Sequence, residues 1–300
     1  MRAETIMHRH RAALRLISGV GKKGPACFAV EAHGKRLVLD LGEGPPPGLL
    51  PDIALAAPAD ALILSHGHKD HIGGLSLLAR LGNPPVYATE IVAQSLPREI
   101  KARTLPIRGT TEVLGIAVET GRDGHAPGGV WLHFGIGDGF LYTGDYSAES
   151  ALYVYDSPTR PAATALIDCS YGDYDRALAA CWSELAAHLG KGPLLLPVPA
   201  NGRGPEIALE LMRHGFRGAA EIAATLEHMA AFAHLADVVP SHLFDLYYDA
   251  TLGDDEIRAF LGRENPQALA AIEDCFRRLD EASLWVTRRN SILASLREAS

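Results

Sequence analysis

The sequence predicts an α/β protein in two parts, a strand-rich first part and a helix-rich second part. Three observations carry this. Short runs rich in Val, Leu and Phe recur between Gly- and Lys-containing turns near the start of the chain. A histidine cluster follows one such buried run and precedes Gly73-Gly74. From Asp175 onward, helical spacing dominates around one strand-like segment, PLLLPVP.

Taken in order, ALRLISG, ACFAVEA and RLVLDLG read as strands, with GKK and HGK as hairpin connections. The Pro-rich GEGPPPGLLP stops regular structure, because proline lacks a donor and fixes φ. DALILS has an apolar core with polar ends, too short for an independent helix and suited to a buried strand. IGGLSLLARLG carries Leu at helical spacing and ends in Gly, which predicts a helix. VYAT, TLPIR, LGIAVET, VWLHFGI and FLYTGD are further strands, and EIVAQSLPREIKAR is a helix interrupted at Pro97. ATALIDCSYG is a last buried strand. DRALAACWSELAAHLG, PEIALELMRHG, ATLEHMAAFAHLA and DEIRAFLG are helical. The expected division is a core over residues 1–190 and a second domain over 191–300.

Bulk properties exclude several classes. The chain has 300 residues, 47% of them hydrophobic and 21% charged, which suits a globular protein with a sizeable core. It holds no apolar run of the roughly eighteen residues a membrane span needs. MRAETIMHRHRAALRL is basic but has no apolar h-region, so it reads as a tail entering the first strand. Cys27, Cys169, Cys181 and Cys275 are scattered with no CxxC pair, which favours reduced thiols and a cytoplasmic setting. A net charge of −8 argues against a broad basic surface for duplex DNA, though not against a cleft made positive by metal.

The chemistry concentrates in Ser65-His66-Gly67-His68-Lys69-Asp70-His71. Imidazole and carboxylate suit zinc or another borderline divalent ion. His66 and His68, two apart on an extended segment, point the same way and can share one metal. Asp70 and His71 follow on the turn and can reach a second. Gly73-Gly74 lets the next element approach closely. His125, in GHAPGG after one strand, and Asp145, ending FLYTGD, complete the set. Two neighbouring ions need a bridging carboxylate, and Asp145 is placed to provide it.

The order of VLDLGEG, SHGHKDHIGG, GHAPGG and YTGD resembles the metallo-β-lactamase superfamily over residues 14 to 150. That resemblance implies a four-layer αββα sandwich, with His66, His68 and His125 on one metal and Asp70 and His71 on the other. Asp145 would bridge, and Asp40 would support the ligands from behind. Ala165-Leu166-Ile167-Asp168-Cys169-Ser170-Tyr171-Gly172 is similar to an acidic motif of the β-CASP nucleases within that superfamily. LLLPVPANGRGPEIALEL resembles the opening of their cap, where Arg203 beside a helix N-terminus would bind phosphate. Residues 191–300 would then be a partial α/β cap, and HGHKDHIGGL resembles the RNA-processing members more than the DNA-repair branch.

What the resemblance implies is a two-zinc nuclease for single-stranded RNA or DNA, with Asp70, Asp145 and Asp168 in catalytic roles and a homodimer as a possible assembly. Tyr146, Tyr171 and Tyr174 lie near these motifs and read as core or hydrogen-bonded residues. The family pattern continues to a terminal metal-binding histidine. His188, His214, His228, His234 and His242 match no such motif, so the chain is expected to lack the C-terminal part. Two other readings stay open: hydrolysis of a small ester or thioester on the same metal core, and a nuclease-like scaffold without activity.

Overall fold

Strand β1 (Ala13–Ser18) pairs antiparallel with β2 (Cys27–Ala32), and β2 with β3 (Lys35–Leu39). The β2–β3 turn is His33-Gly34, both residues at positive φ, the geometry that matches strand twist in a two-residue hairpin. The computed structural model describes residues 12–187 except 22, 45 and 46, and beyond them 195–198, 202–204, 206–207, 210, 220–222 and 284–288. The chain divides into two units, Met1–Asp175 and Arg176–Ser300.

In the first unit, β4 (Ala61–Ile63) adds parallel to β3 and is wholly buried, as its short apolar run predicts. Helix α1 (Lys69–Ile72) follows the histidine cluster. Strand β5 (Val86–Ala88), helix α2 (Glu90–Ala93) and strand β6 (Arg103–Thr104) come next, with β5 and β6 parallel to their neighbours. The order of this first sheet is β1-β2-β3-β4-β5-β6. A second sheet is built from β7 (Gly109–Val113), β8 (Ile116–Arg122), β9 (Val130–Phe134), β10 (Phe140–Tyr142) and β11 (Thr164–Leu166), in the order β11-β10-β9-β8-β7.

The two sheets face each other across one core. Leu37, Leu39, Ile63 and Phe28 from the first meet Val118, Leu132, Phe134 and Phe140 from the second. Alternate residues Val38, Leu62 and Leu64 point to the other face, against Ile53, Leu75, Leu81 and Val92. The double-faced burial explains why β3 and β4 read as continuous apolar runs. On the outside of the second sheet, the Trp131 indole donates to Asp156 O and His133 lies 3.0 Å from Pro161 O, so residues 156–161 cover that face.

Several elements differ from expectation. IGGLSLLARLG makes one 3-10 turn, Leu75–Leu77, in place of a regular helix, because its leucines serve a layer packed on the sheet. EIVAQSLPREIKAR keeps only Glu90–Ala93 as helix, capped by the Thr89 hydroxyl, and stops short of Pro97. TLPIR contributes only Thr104 to β6, and β7, with the largely exposed sequence GTTEV, lacks the apolar signal that finds central strands. β11 is a half-exposed edge strand, not a buried one.

The second unit contains α3 (Leu178–Ala186) and strands β12 (Leu195–Val198), β13 (Ala220–Ile222) and β14 (Leu284–Arg288). These strands form a parallel sheet in the order β12-β14-β13. The helical expectations between 223 and 283 lie outside the described residues, as do His188, His214, His228, His234, His242 and Cys275.

What positions the site is the seam between α1 and the segment after β3. The backbone N–H groups of Ala26, Leu41 and Glu43 donate to the carbonyls of Asp70, His71 and Lys69, satisfying the end of a very short helix. Gly42 makes this approach possible, since a Cβ there would lie 1.7 Å from Asp70 O. Gly42→Ala should therefore destabilise the protein by about 2–3 kcal/mol, as backbone must move to admit the methyl group. A thermal-unfolding midpoint equal to wild type would refute this account of the seam.

Candidate metal centre

The expected site residues of the first unit, Asp70 and His71 apart, lie just past the carboxyl ends of strands. Asp40 follows β3, His66 and His68 follow β4, His125 follows β8, Asp145 follows β10 and Asp168 follows β11. Strands β8 and β10 are both antiparallel to β9, so their ends open on one edge of the sheet. Asp70 and His71 sit on α1 itself, in its first turn rather than on an irregular turn.

Two groups result. Ligand atoms of His66, His68, His125 and Asp145 lie within 4.8 Å of one another, and so do those of Asp70, His71 and Asp145. His68 Nδ1 is 3.1 Å from both His66 Nε2 and His125 Nε2. His71 Nε2 is 3.1 Å from Asp145 Oδ1, while Asp145 Oδ2 is 3.7 Å from His125 Nε2. Asp145 thus belongs to both groups, one oxygen toward each. Imidazole nitrogens and carboxylate oxygens converging at this spacing are the donor chemistry of a borderline divalent cation.

Asp40 holds the donors from behind. It is fully buried at φ 56°, and its Oδ1 accepts the Ser65 N–H at 2.7 Å. Its Oδ2 accepts the hydroxyls of Ser65 and Tyr142 and lies 2.7 Å from His71 Nδ1. Ser65 Oγ is in turn 3.0 Å from His66 Nδ1. With Nδ1 protonated, His66 keeps its Nε2 lone pair turned to the first group, and His71 would turn one to the second once its Nε2 proton is displaced.

The family is settled by the match to the metallo-beta-lactamase superfamily over residues 20–184. The chain belongs to that superfamily. Its fold is the αββα sandwich of the superfamily. Among its relatives is a transcription termination factor, FttA, of Cenarchaeum symbiosum, 27% identical over 252 residues and covering 67% of this chain and 39% of that one. Ribonuclease TTHA0252 of Thermus thermophilus is 29% identical over 189 residues, covering 53% of this chain and 44% of that protein. These relatives are members of the β-CASP branch whose motifs the sequence resembles. A second family, CobN/Magnesium Chelatase, matches residues 205–292. There the aerobic cobaltochelatase subunit CobN of a Sinorhizobium species is 38% identical over 81 residues, 27% of this chain and 6% of that one. The chain spans less than half the length of each of these curated relatives. Among solved structures, the metallo-beta-lactamase fold protein YhfI of Bacillus subtilis is 14% identical, covering 46% of this chain and 64% of that one, with a TM-score of 0.34.

Within this metallo-β-lactamase site the charges are strongly perturbed. Burial pushes the His66 imidazole well below its ordinary value, with help from the neighbouring histidines, so it is neutral. Burial opposes charge on His71 as well, yet Asp40 and Asp145 outweigh it and raise that group to about 10. Asp145 goes the other way: burial would raise it, but His71, His66 and His125 hold it far below the carboxylate range. Asp70 is lowered against its burial by His71 and Lys23.

Two residues near the donors carry no motif. Asp123, buried, accepts the N–H groups of His125 and Ala126 at Oδ1 and so shapes the His125 loop. A Cβ on Gly129 would lie 1.9 Å from its Oδ2. Burial raises this carboxyl to about 7. An acid two residues before His125 forming such a turn is a signal the sequence offered. Lys23, from the loop after β1, has its Nζ 2.5 Å from Asp70 Oδ2, and nothing in its local sequence points there.

The remaining expected residues are placed as follows. Asp168 is half-buried, its N–H donates to Thr143 Oγ1 and its Oδ1 accepts from the N–H and hydroxyl of Ser170. Its charge is among those acting on Lys23. Arg203, in the second unit, is ion-paired with Glu206 of its own helical turn, which is buried. Tyr146, Tyr171 and Tyr174 are 37%, 73% and 56% exposed, so they are surface residues and not core ones.

The metal-free protein should have a stability maximum on the acid side of neutrality. His71 is raised from 6.5 to about 10, so its contribution is complete below 6.5 and is lost as pH climbs through about 10. Asp123, raised from 3.8 to about 7, acts in the same direction between those values. Asp145, lowered from 3.8, contributes above that value and loses its effect in stronger acid. Thermal melts in chelator should fall steadily from pH 6 to pH 10, and a midpoint that rises over that range would contradict the charge assignments.

Proposed function

We propose that this chain is a metal-dependent hydrolase that cleaves phosphodiester bonds of single-stranded RNA at a dinuclear zinc centre. The observation that carries the reading is the pair of donor groups sharing Asp145. On this reading His66, His68 and His125 hold one ion, Asp70 and His71 the other, and Asp145 lies between them. Bound ions would acidify a water molecule and neutralise negative charge on the phosphoryl oxygens.

The chain's own residues do the rest. Asp40 fixes the tautomers of His71 directly and of His66 through the Ser65 hydroxyl. Asp123 holds the His125 loop through two N–H groups. Asp168, whose Oδ1 already accepts from Ser170, orients water or accepts a proton at that carboxylate. Exposed Tyr146 and Tyr171, one directly after Asp145 and the other three residues after Asp168, offer faces on which unpaired bases can stack.

The choice of RNA is supported by similarity to Ribonuclease TTHA0252 and to the termination factor FttA, together with the HGHKDHIGGL motif. DNA remains the closest substitute, and esters or thioesters the next. A cytoplasmic setting fits the thiols of Cys27 and Cys169, neither of which is in a disulfide. Among the described residues no helix is long and apolar enough to cross a membrane. A homodimer is retained as part of the proposal. We further read 1–190 as the catalytic core and 191–300 as a β-CASP-like cap whose Arg203 meets phosphate once it leaves Glu206. Similarity to CobN over 205–292 favours a second account of that same stretch, as a segment related to the chelatase subunit.

Elemental analysis of purified protein should find two zinc ions per chain, reduced by His68→Ala and by Asp145→Ala. Asp40→Ala should weaken metal binding about 10- to 100-fold. Single-stranded RNA should be degraded, the activity should vanish with chelator, and Asp168→Asn should slow it about 100-fold or more. Turnover of a thioester with RNA left intact would move the assignment to the small-ester reading. Stoichiometric metal without turnover of either substrate would favour the inactive scaffold.

A further inference from the structure

The metal reading leaves Lys23 without a role, although its ammonium lies inside the site. Its Nζ is 2.5 Å from Asp70 Oδ2 and 3.8 Å from Asp145 Oδ2. These two carboxylates are the ones that, with His71, form the second donor group. An ammonium bonded to Asp70 Oδ2 and a divalent ion coordinated by that oxygen would use the same lone pairs and would repel each other at short range. The first group differs in kind: it is three imidazoles plus the shared Asp145, whose Oδ2 lies 3.8 Å from Nζ, whereas the short contact of Lys23 is with Asp70, which belongs to the second group alone.

We propose that Lys23 is a resident ammonium that competes with metal for the Asp70–His71–Asp145 group. The two groups then fill unequally, the imidazole-rich one first and the second only when Lys23 swings out. The inference rests on the metal-centre reading above and adds an order of loading to it. Departure of the lysine is physically easy. Its side chain is 55% exposed, it has four flexible methylenes, and it stands on a loop between Gly21 and Gly24.

The test titrates the metal-stripped full chain with Zn²⁺ by calorimetry, with elemental analysis of the loaded protein and circular dichroism as a check of folding. The wild type should show two sites separated by about tenfold or more in affinity. Lys23→Met should tighten the weaker site about tenfold while leaving the tighter one in place, and Lys23→Arg should keep it weak. Adding Asp70→Asn to Lys23→Met should abolish the gain. Two equal sites in the wild type, or a weaker site indifferent to Lys23→Met, would overturn the role of Lys23 while leaving the metal centre standing. A wild type that takes up no metal, matched by His68→Ala, would overturn the metal centre and this inference together.

Discussion

The carboxylate of Asp40 takes hydrogen bonds from both sheets, and the geometry of the site depends on them. Ser65 and His71 reach it from the connection after β4 and from α1, and Tyr142 reaches it from β10 across the sandwich. A buried carboxylate is costly unless its lone pairs are filled, and here two oxygens serve four donors. The same bonds orient two imidazoles that belong to different donor groups. Removing this one side chain would leave His66 and His71 free to rotate and the Tyr142 hydroxyl without its acceptor. The left-handed backbone at Asp40 is a local strain that these contacts over-determine.

Around that anchor, the architecture supplies convergence. Strand-end loops from two sheets bring histidines and carboxylates together that lie up to about eighty residues apart in sequence, from His66 to Asp145. The close seam at Gly42 sets how near α1 can stand, and through it where Asp70 and His71 point. Charge follows from the same convergence. Burial works against charge on His71 and Asp145 alike, yet mutual pairing leaves Asp145 ionised and His71 charged when no metal is present. A divalent ion would displace the second proton of His71, which ties metal affinity to pH in this site.

The second unit carries two similarities of different kinds. The sequence of its opening, around Gly202-Arg203, resembles the start of a β-CASP cap, while 205–292 matches the CobN/Magnesium Chelatase family. The parallel order β12-β14-β13 describes its sheet without deciding between them, because a three-stranded parallel sheet is common to many α/β units.

The sequence alone named the candidate donors that the fold brings together. His66, His68, Asp70 and His71 announce themselves because one short segment must present several ligands at once, and such density is rare outside a metal site. Asp40, His125 and Asp145 were legible through the order of their motifs, each at the end of an apolar strand. Strands buried on both faces were legible too, whereas the Leu-rich stretch after α1 misled, because leucines spaced for a helix can equally cover a sheet from 3-10 turns. Only the tertiary structure decided which side chains meet the donors from a distance. Lys23 reaches Asp70 from the β1–β2 loop, Tyr142 reaches Asp40 across the core, and Tyr146 and Tyr171 come out on the surface. Periodicity and motif report what a segment does locally, but a contact between segments far apart in the chain exists only once the two sheets have packed.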